Sequence, residues 1–185
     1  IEDFAHVRRN GLIAIKLDKE DYLGWASATS GSDEAILVTA KGQSIRFKEK
    51  DAKPMGRNAA GVRGIRLKAD DRVIGMDVIN DKNKDSQLLI ATENGFGKKT
   101  DLKSFKIQKR GGSGIKAAKI TAKTGQIVSA LILSLDAEDI IVISQLGQVI
   151  RTGLDSVSKL GRSTQGVKIM SLGRKDDKVA SVTYL

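Results

Sequence analysis

The chain has 185 residues, 40% hydrophobic and 29% charged, which is enough apolar content for a packed core and excludes wholesale disorder. Lys and Arg number 32 against 22 Asp and Glu, a net charge of +10 that favours a polyanionic partner: nucleic acid, an acidic membrane surface or an acidic protein. Cysteine is absent and His6 is the single histidine, which excludes disulfides, cysteine zinc sites and His-rich metal sites and argues against a Ser-His-Asp triad.

In chain order, residues 1–10 read as the tail of a preceding unit, and an opening on Ile1 in mid-pattern suggests a piece of a longer protein. No apolar run approaches the ~18–20 residues of a membrane span, and IEDFAHVRRN does not resemble a signal peptide, so a soluble, cytoplasmic chain with no membrane partner is expected. The β-branched run AILVT (35–39) predicts a strand, followed by Lys41-Gly-Gln-Ser-Ile-Arg46. Residues 62–67 (VRGIRL), 72–79 (RVIGMDVI), 87–92 (QLLIAT) and 96–102 (FGKKTDL) predict four more strands. Asn94-Gly95 between the last two is a hairpin signal, because a tight turn there needs positive φ. Strands over 127–135, 139–144 and 148–153 follow, with Leu146-Gly147 at the turn.

These elements recur. Gly42, Gly95 and Gly147 each open Gly-x-x-x-[Arg/Lys] and lie 53 and 52 residues apart. Gly61-Val-Arg63, Gly114-Ile-Lys116 and Gly166-Val-Lys168 hold the same spacing, each with an arginine four residues upstream (Arg57, Arg110, Arg162). Gly11-Leu-Ile13 fits this column one period earlier, with Arg8 and Arg9 near the arginine position. A period of about 52 residues with four short strands predicts an all-β, propeller-like array of four-stranded blades; a sandwich or barrel would not need a fixed period. The divisions are 11–60, 61–113 and 114–165, a partial unit 166–185 and the tail 1–10, within one domain spanning 1–185. A self-closed ring usually needs about four to eight blades, so this is the minimum or part of a larger ring.

The charge is in phase with the repeat. Windows 41–68, 97–123 and 145–175 hold 24 of the 32 bases and 4 of the 22 acids; the acids gather in the other connections, such as Asp70, Asp71, Asp77, Asp81 and Asp85. A surface that only needs solubility intersperses both signs, which remains the reading for single lysines such as Lys82 and Lys178. Repeated basic segments around a ring would give the positive track that a phosphate backbone requires. Aromatics are only 4%, without the basic-aromatic interleaving of single-strand and RNA binders, so duplex DNA bound with little sequence choice is the favoured polyanion.

The most distinctive stretch is Gln108-Lys109-Arg110-Gly111-Gly112-Ser113-Gly114, whose glycines free backbone N–H groups for an anion while Lys109 and Arg110 add charge. The bland alternative is a flexible loop between blades, since RNAAG and RSTQG lack the glycine pair. Gly97-Lys98-Lys99-Thr100 only resembles the end of a P-loop.

With this heptad, with Gly61-Val-Arg-Gly-Ile-Arg66, Glu93-Asn-Gly-Phe-Gly-Lys98 and Gly161-Arg-Ser-Thr-Gln-Gly-Val167, the sequence resembles the C-terminal domain of the DNA gyrase A subunit over essentially its whole length. Residues 108–114 are similar to the gyrase A box, with Ser113 in place of the usual basic residue, and lie after two full units where the family's principal box opens the first blade. The resemblance implies a β-pinwheel whose basic rim wraps duplex DNA and supports ATP-dependent negative supercoiling. It implies partners in the rest of the gyrase A subunit and the gyrase B subunit, a nucleoid location, and ATP and magnesium acting elsewhere in the parent enzyme, with no cofactor, metal or catalytic residue in this chain. The topoisomerase IV A subunit carries a similar disc with a degraded box, so the near-intact heptad favours gyrase.

Expected phosphate contacts are Arg46, Lys48, Lys98, Lys99 and Arg151 on the strands after the hairpin glycines. Arg57, Arg63, Lys109, Arg110, Lys116, Arg162 and Lys168 would continue the track between blades. Two other readings are a propeller that meets an acidic protein, with Trp25 and Tyr22 as the few candidates for an apolar hot spot, and an enzyme, which would need acids or bases converging at the strand edges.

Overall fold

The computed structural model describes residues 4–7 and 9–185; of the expected tail 1–10, Ile1 to Asp3 and Arg8 lie outside the described residues. The chain is built of short strands: β1 (Glu34–Thr39), β2 (Gln43–Lys48), β3 (Val73–Ile79), β4 (Gln87–Thr92), β5 (Phe96–Asp101), β6 (Ile115–Lys116), β7 (Ile127–Ile132), β8 (Asp139–Ser144), β9 (Val149–Gly153), β10 (Val167–Lys168) and β11 (Val179–Tyr184). They form three antiparallel sheets, β3-β1-β2-β6, β7-β4-β5-β10 and β11-β8-β9. This is the all-β, repeated-sheet architecture of a β-pinwheel.

Each sheet starts from a hairpin (β1–β2, β4–β5, β8–β9) whose turn holds Gly42, Gly95 or Gly147, and a single turn of 3-10 helix follows each hairpin at Glu49–Asp51, Leu102–Ser104 and Leu154–Ser156. The chain then travels outward before returning as the inner strand β3, β7 or β11. On the outward excursion it does not pair with its own hairpin. Residues 115–116 (β6) pair with Gln43 and Ser44 of β2, and 167–168 (β10) pair with Phe96 and Gly97 of β5. Counted hairpin to hairpin, the outermost strand of every complete sheet is thus donated by the following period, and each four-stranded sheet draws on three of the sequence units 11–60, 61–113, 114–165 and 166–185 rather than one.

That exchange accounts for the one expected strand that is missing. Residues 62–67 adopt no strand, although they occupy the same place in the period as β6 and β10. Among the described residues no strand holds, relative to 62–67, the place that β2 holds for β6 and β5 for β10. Ile65 is nevertheless buried, and with Ile45 and Phe47 it packs one face of the first sheet.

The sheets stack face to face with apolar cores between them. Ile36, Val38 and Ile79 meet Leu88, Ile90, Leu102, Phe105, Ile127 and Ile132 between the first and second sheets. Leu89 and Ala91, on the opposite face of β4, meet Ile140, Val142, Leu154, Met170 and Val179 between the second and third. Both faces of β4 are covered, which is why its sequence, QLLIAT, is a continuous apolar run rather than an alternating one. On the inner side, Asp77 of β3 accepts a hydrogen bond from the Ile132 N–H of β7 (2.8 Å). The inner strands of neighbouring sheets are in contact, and β6 and β10 lie at the opposite, outer edge.

Candidate nucleic-acid interface

The outward excursions are where carboxylates stop. Segments 52–69, 102–135 and 156–175 contain no Asp or Glu, yet they carry Lys53, Arg57, Arg63, Arg66, Lys68; Lys103, Lys106, Lys109, Arg110, Lys116, Lys119, Lys123; and Lys159, Arg162, Lys168, Arg174, Lys175. Two of these bases do find acids elsewhere, Lys159 with Asp101 and Arg174 with Asp176. Lys116 and Lys168 stand exposed on the outermost strands β6 and β10, and Arg63 stands exposed at the same position of the earlier excursion. The three make no ion pair with a described carboxylate, so their charge faces solvent unneutralised. Lys168 is steadied by the Asn94 carbonyl (3.1 Å) and by the Phe96 ring, whose centroid lies 5.0 Å from its ammonium. Lys123 lies 5.4 Å from the same ring. Lys48 and Lys109 are exposed as well.

The heptad 108–114 is sewn into the seam between the first sheet and the excursion 62–67. The Gln108 N–H donates to the Arg46 carbonyl (2.7 Å), the Gly111 N–H to the Gly64 carbonyl (2.7 Å), and the Arg66 N–H to the Gly112 carbonyl (2.8 Å). Gly114 passes so close to β2 that a Cβ would run into the Ser44 carbonyl oxygen. Arg110 donates from Nε to the Asp51 carbonyl (2.8 Å) and from Nη1 to the Arg63 carbonyl. Lys109 and Ser113 point outward and are exposed; Gln108 is half-buried, with its side-chain nitrogen enclosed and unpaired among the described residues. The glycine N–H of Gly111 is therefore spent on protein and is not offered to an anion in this conformation.

Three of the five strand bases do not reach the outer edge. Arg46 pairs with Glu34 at side-chain exposures of 12% and 19%, and its Nη1 donates to the Leu102 carbonyl (2.9 Å). Lys99 does the same one period on, donating to the Leu154 carbonyl (2.7 Å). Both satisfy the 3-10 turn of the following unit. Lys98 is 1% exposed, and its ammonium sits under the loop 161–164, donating to the carbonyls of Gly161 (2.8 Å), Arg162 (2.7 Å) and Thr164 (3.1 Å) and to the Thr164 hydroxyl (3.3 Å). Burial, with the nearby Arg162 charge, pushes its pKa down to about 8. The expectation that Arg46 and Lys98 contact phosphate is corrected on these grounds, since their donors are used internally; Lys99 is half-buried, with one ammonium hydrogen given to the Leu154 carbonyl. Arg151 is exposed but is bound by Asp139. Lys98 stands where Ile45 and Ile150 stand in the other hairpins, and that apolar column is the sequence signal that marks it as inward-facing. Arg66, Lys106 and Lys119, which the column argument passed over, are exposed on the same acid-free excursions.

Antiparallel sheets that recur along the chain and borrow their outer strands define a propeller of the β-pinwheel class. The family model described as "DNA gyrase C-terminal domain, beta-propeller" matches residues 1–29, 33–80, 86–134 and 138–184, and the chain belongs to this family. The DNA gyrase A subunit of Staphylococcus epidermidis is 39% identical over 173 residues, covering 94% of the chain and 19% of that protein. The Staphylococcus aureus DNA gyrase A subunit is 37% identical over 181 residues, covering 98% and 20%. The chain thus spans about a fifth of the length of these relatives. A solved structure of the DNA gyrase A C-terminal domain superposes with a TM-score of 0.82 at 28% identity, over 95% of this chain and 58% of that one. The C-terminal domain of DNA topoisomerase IV shares the fold, with a TM-score of 0.89 at 24% identity, over 100% and 56%.

Proposed function

We propose that this chain binds duplex DNA without marked sequence choice and bends it around its outer edge, as part of the C-terminal domain of a gyrase A subunit that supports negative supercoiling. The observation that carries this reading is the outer edge itself: excursions free of carboxylates place Arg63, Lys116 and Lys168 at one repeating position, exposed and without a described acidic partner. Phosphates would be held by these three with Lys48 and Lys109, and by Arg66, Lys106 and Lys119 beside them. Bending a duplex by 40–90° over 20–30 bp costs about 1–6 kcal/mol, which several phosphate contacts per blade offset. The remaining gyrase A chain and the gyrase B subunit would be the protein partners, with ATP and magnesium bound there and the assembly acting on nucleoid DNA.

The test is topological. Nicked circles religated with the protein bound should retain supercoils of one sign, in numbers that rise with protein added. Circles that close fully relaxed, with binding verified by gel shift, would reduce the role to binding without wrapping.

A further inference from the structure

Arg57, Arg110 and Arg162 occupy one column of the repeat, four residues ahead of Gly61, Gly114 and Gly166. Each guanidinium donates to a backbone carbonyl, and the three carbonyls share a column too: Ile13 (3.2 Å), Arg63 and Lys116 (2.9 Å). All three acceptors are the third residue of the excursion that begins at Gly11, Gly61 or Gly114. Counted hairpin to hairpin, from β1, β4 and β8, an arginine of one unit therefore reaches back to the outer excursion of the unit before it. Where the excursion is a strand the acceptor is informative, because Lys116 lies on β6, the outermost strand of its sheet, and an outermost strand carries carbonyls that no further strand satisfies. The planar fork of a guanidinium suits two acceptors in fixed directions, and Arg110 uses it so, with the Asp51 carbonyl taken by Nε. Around Arg110 the Gly111–Gly64 and Arg66–Gly112 hydrogen bonds close the same seam.

We propose that Arg57, Arg110 and Arg162 are positioning residues: they clasp each unit to the outer excursion of the one before, and so set the angle at which successive basic edges follow one another. Phosphate is held by their neighbours Arg63, Lys109 and Lys116. The proposal rests on the reading that the outer edge carries DNA, and it assigns the arginine of the box-like heptad to the curvature of the path rather than to affinity.

Two measurements on the full chain decide it, using Arg110→Gln, Arg110→Lys and Lys109→Gln. The first is the slope of log Kobs against log salt for a short linear duplex. Lys109→Gln should lower the slope by about 0.9, one phosphate contact fewer, while Arg110→Gln leaves it at the wild-type value. The second is amide hydrogen exchange without DNA: Arg110→Gln and Arg110→Lys should both lose protection at Gly111 and Arg66, because a lysine keeps the charge but lacks the planar fork whose Nε and Nη1 point separately at the Asp51 and Arg63 carbonyls. In the ligation assay both Arg110 variants should trap fewer supercoils. A slope lowered by about 0.9 in Arg110→Gln, or unchanged protection at Gly111 and Arg66 in both variants, overturns the clasp. If instead the wild-type chain binds linear duplex with no salt dependence, the DNA reading fails, and hydrogen exchange alone still decides the clasp.

Discussion

Gly95 and Gly147 are the same residue in two periods, both with positive φ (77° and 87°), yet they sit in different surroundings. A Cβ on Gly95 would collide with the Met170 carbonyl, which the next excursion lays across the turn, whereas nothing lies within 4 Å of one on Gly147. Gly147→Ala should cost about 1–2 kcal/mol, the price of a left-handed residue alone. Gly95→Ala adds the displacement of backbone and should cost at least about 1 kcal/mol more in chemical denaturation. Equal losses would show that the turn, and not the close approach, fixes this column. Lys98 makes a second prediction at this scale. Its folded pKa of about 8 lies below the ordinary 10.5, so between those values the unfolded chain holds a proton that the folded chain has released. Stability contributed by this group therefore rises with pH across that window, and the full penalty of burying the charge applies below it. Thermal midpoints of wild type and Lys98→Met, compared from pH 7.5 to 10, should diverge in favour of wild type as pH rises; parallel curves would remove the buried ammonium from the account.

At the scale of elements, the bases divide by what their strand faces. Lys116 and Lys168 lie on outer strands, and Arg46 and Lys99 lie on β2 and β5, one strand further in. The double variant Lys116→Glu, Lys168→Glu should weaken duplex binding by at least tenfold at moderate salt with a thermal midpoint near that of wild type. Arg46→Ala should do the reverse, costing about 2–3 kcal/mol of stability by stranding Glu34 and the Leu102 carbonyl while changing affinity little. Much of this level was legible in the residues. The hairpins follow from short β-branched runs around Asn94-Gly95 and its counterparts, and two glycine columns at one spacing give the repeated sheets. What the residues hid was the third dimension. Periodicity says that Arg46, Lys99 and Arg151 recur, but not whether a recurring cation meets solvent or the turn of the next unit. The strand expected at 62–67 failed for a related reason: its residues have strand character, but a strand needs a partner, and no described strand stands where β2 and β5 stand for β6 and β10.

At the scale of the molecule, the field is set by segments that lack acids rather than by net charge alone. If about 6–10 phosphates are engaged, affinity for linear duplex should fall about 10³–10⁵-fold between 50 and 200 mM salt, measured by fluorescence anisotropy. A change of less than tenfold would mean that the outer edge is not the contact surface. The lending of β6 and β10 to the sheet before them carries a genetic corollary. No stretch cut at a hairpin-to-hairpin boundary is self-sufficient, because it leaves with another sheet's margin and abandons its own. A tandem duplication of one whole period, however, brings both a new borrower and a new lender wherever its breakpoints fall. Arrays of this kind should therefore lengthen and shorten in whole periods, and insertions of half a period should be purged as misfolded.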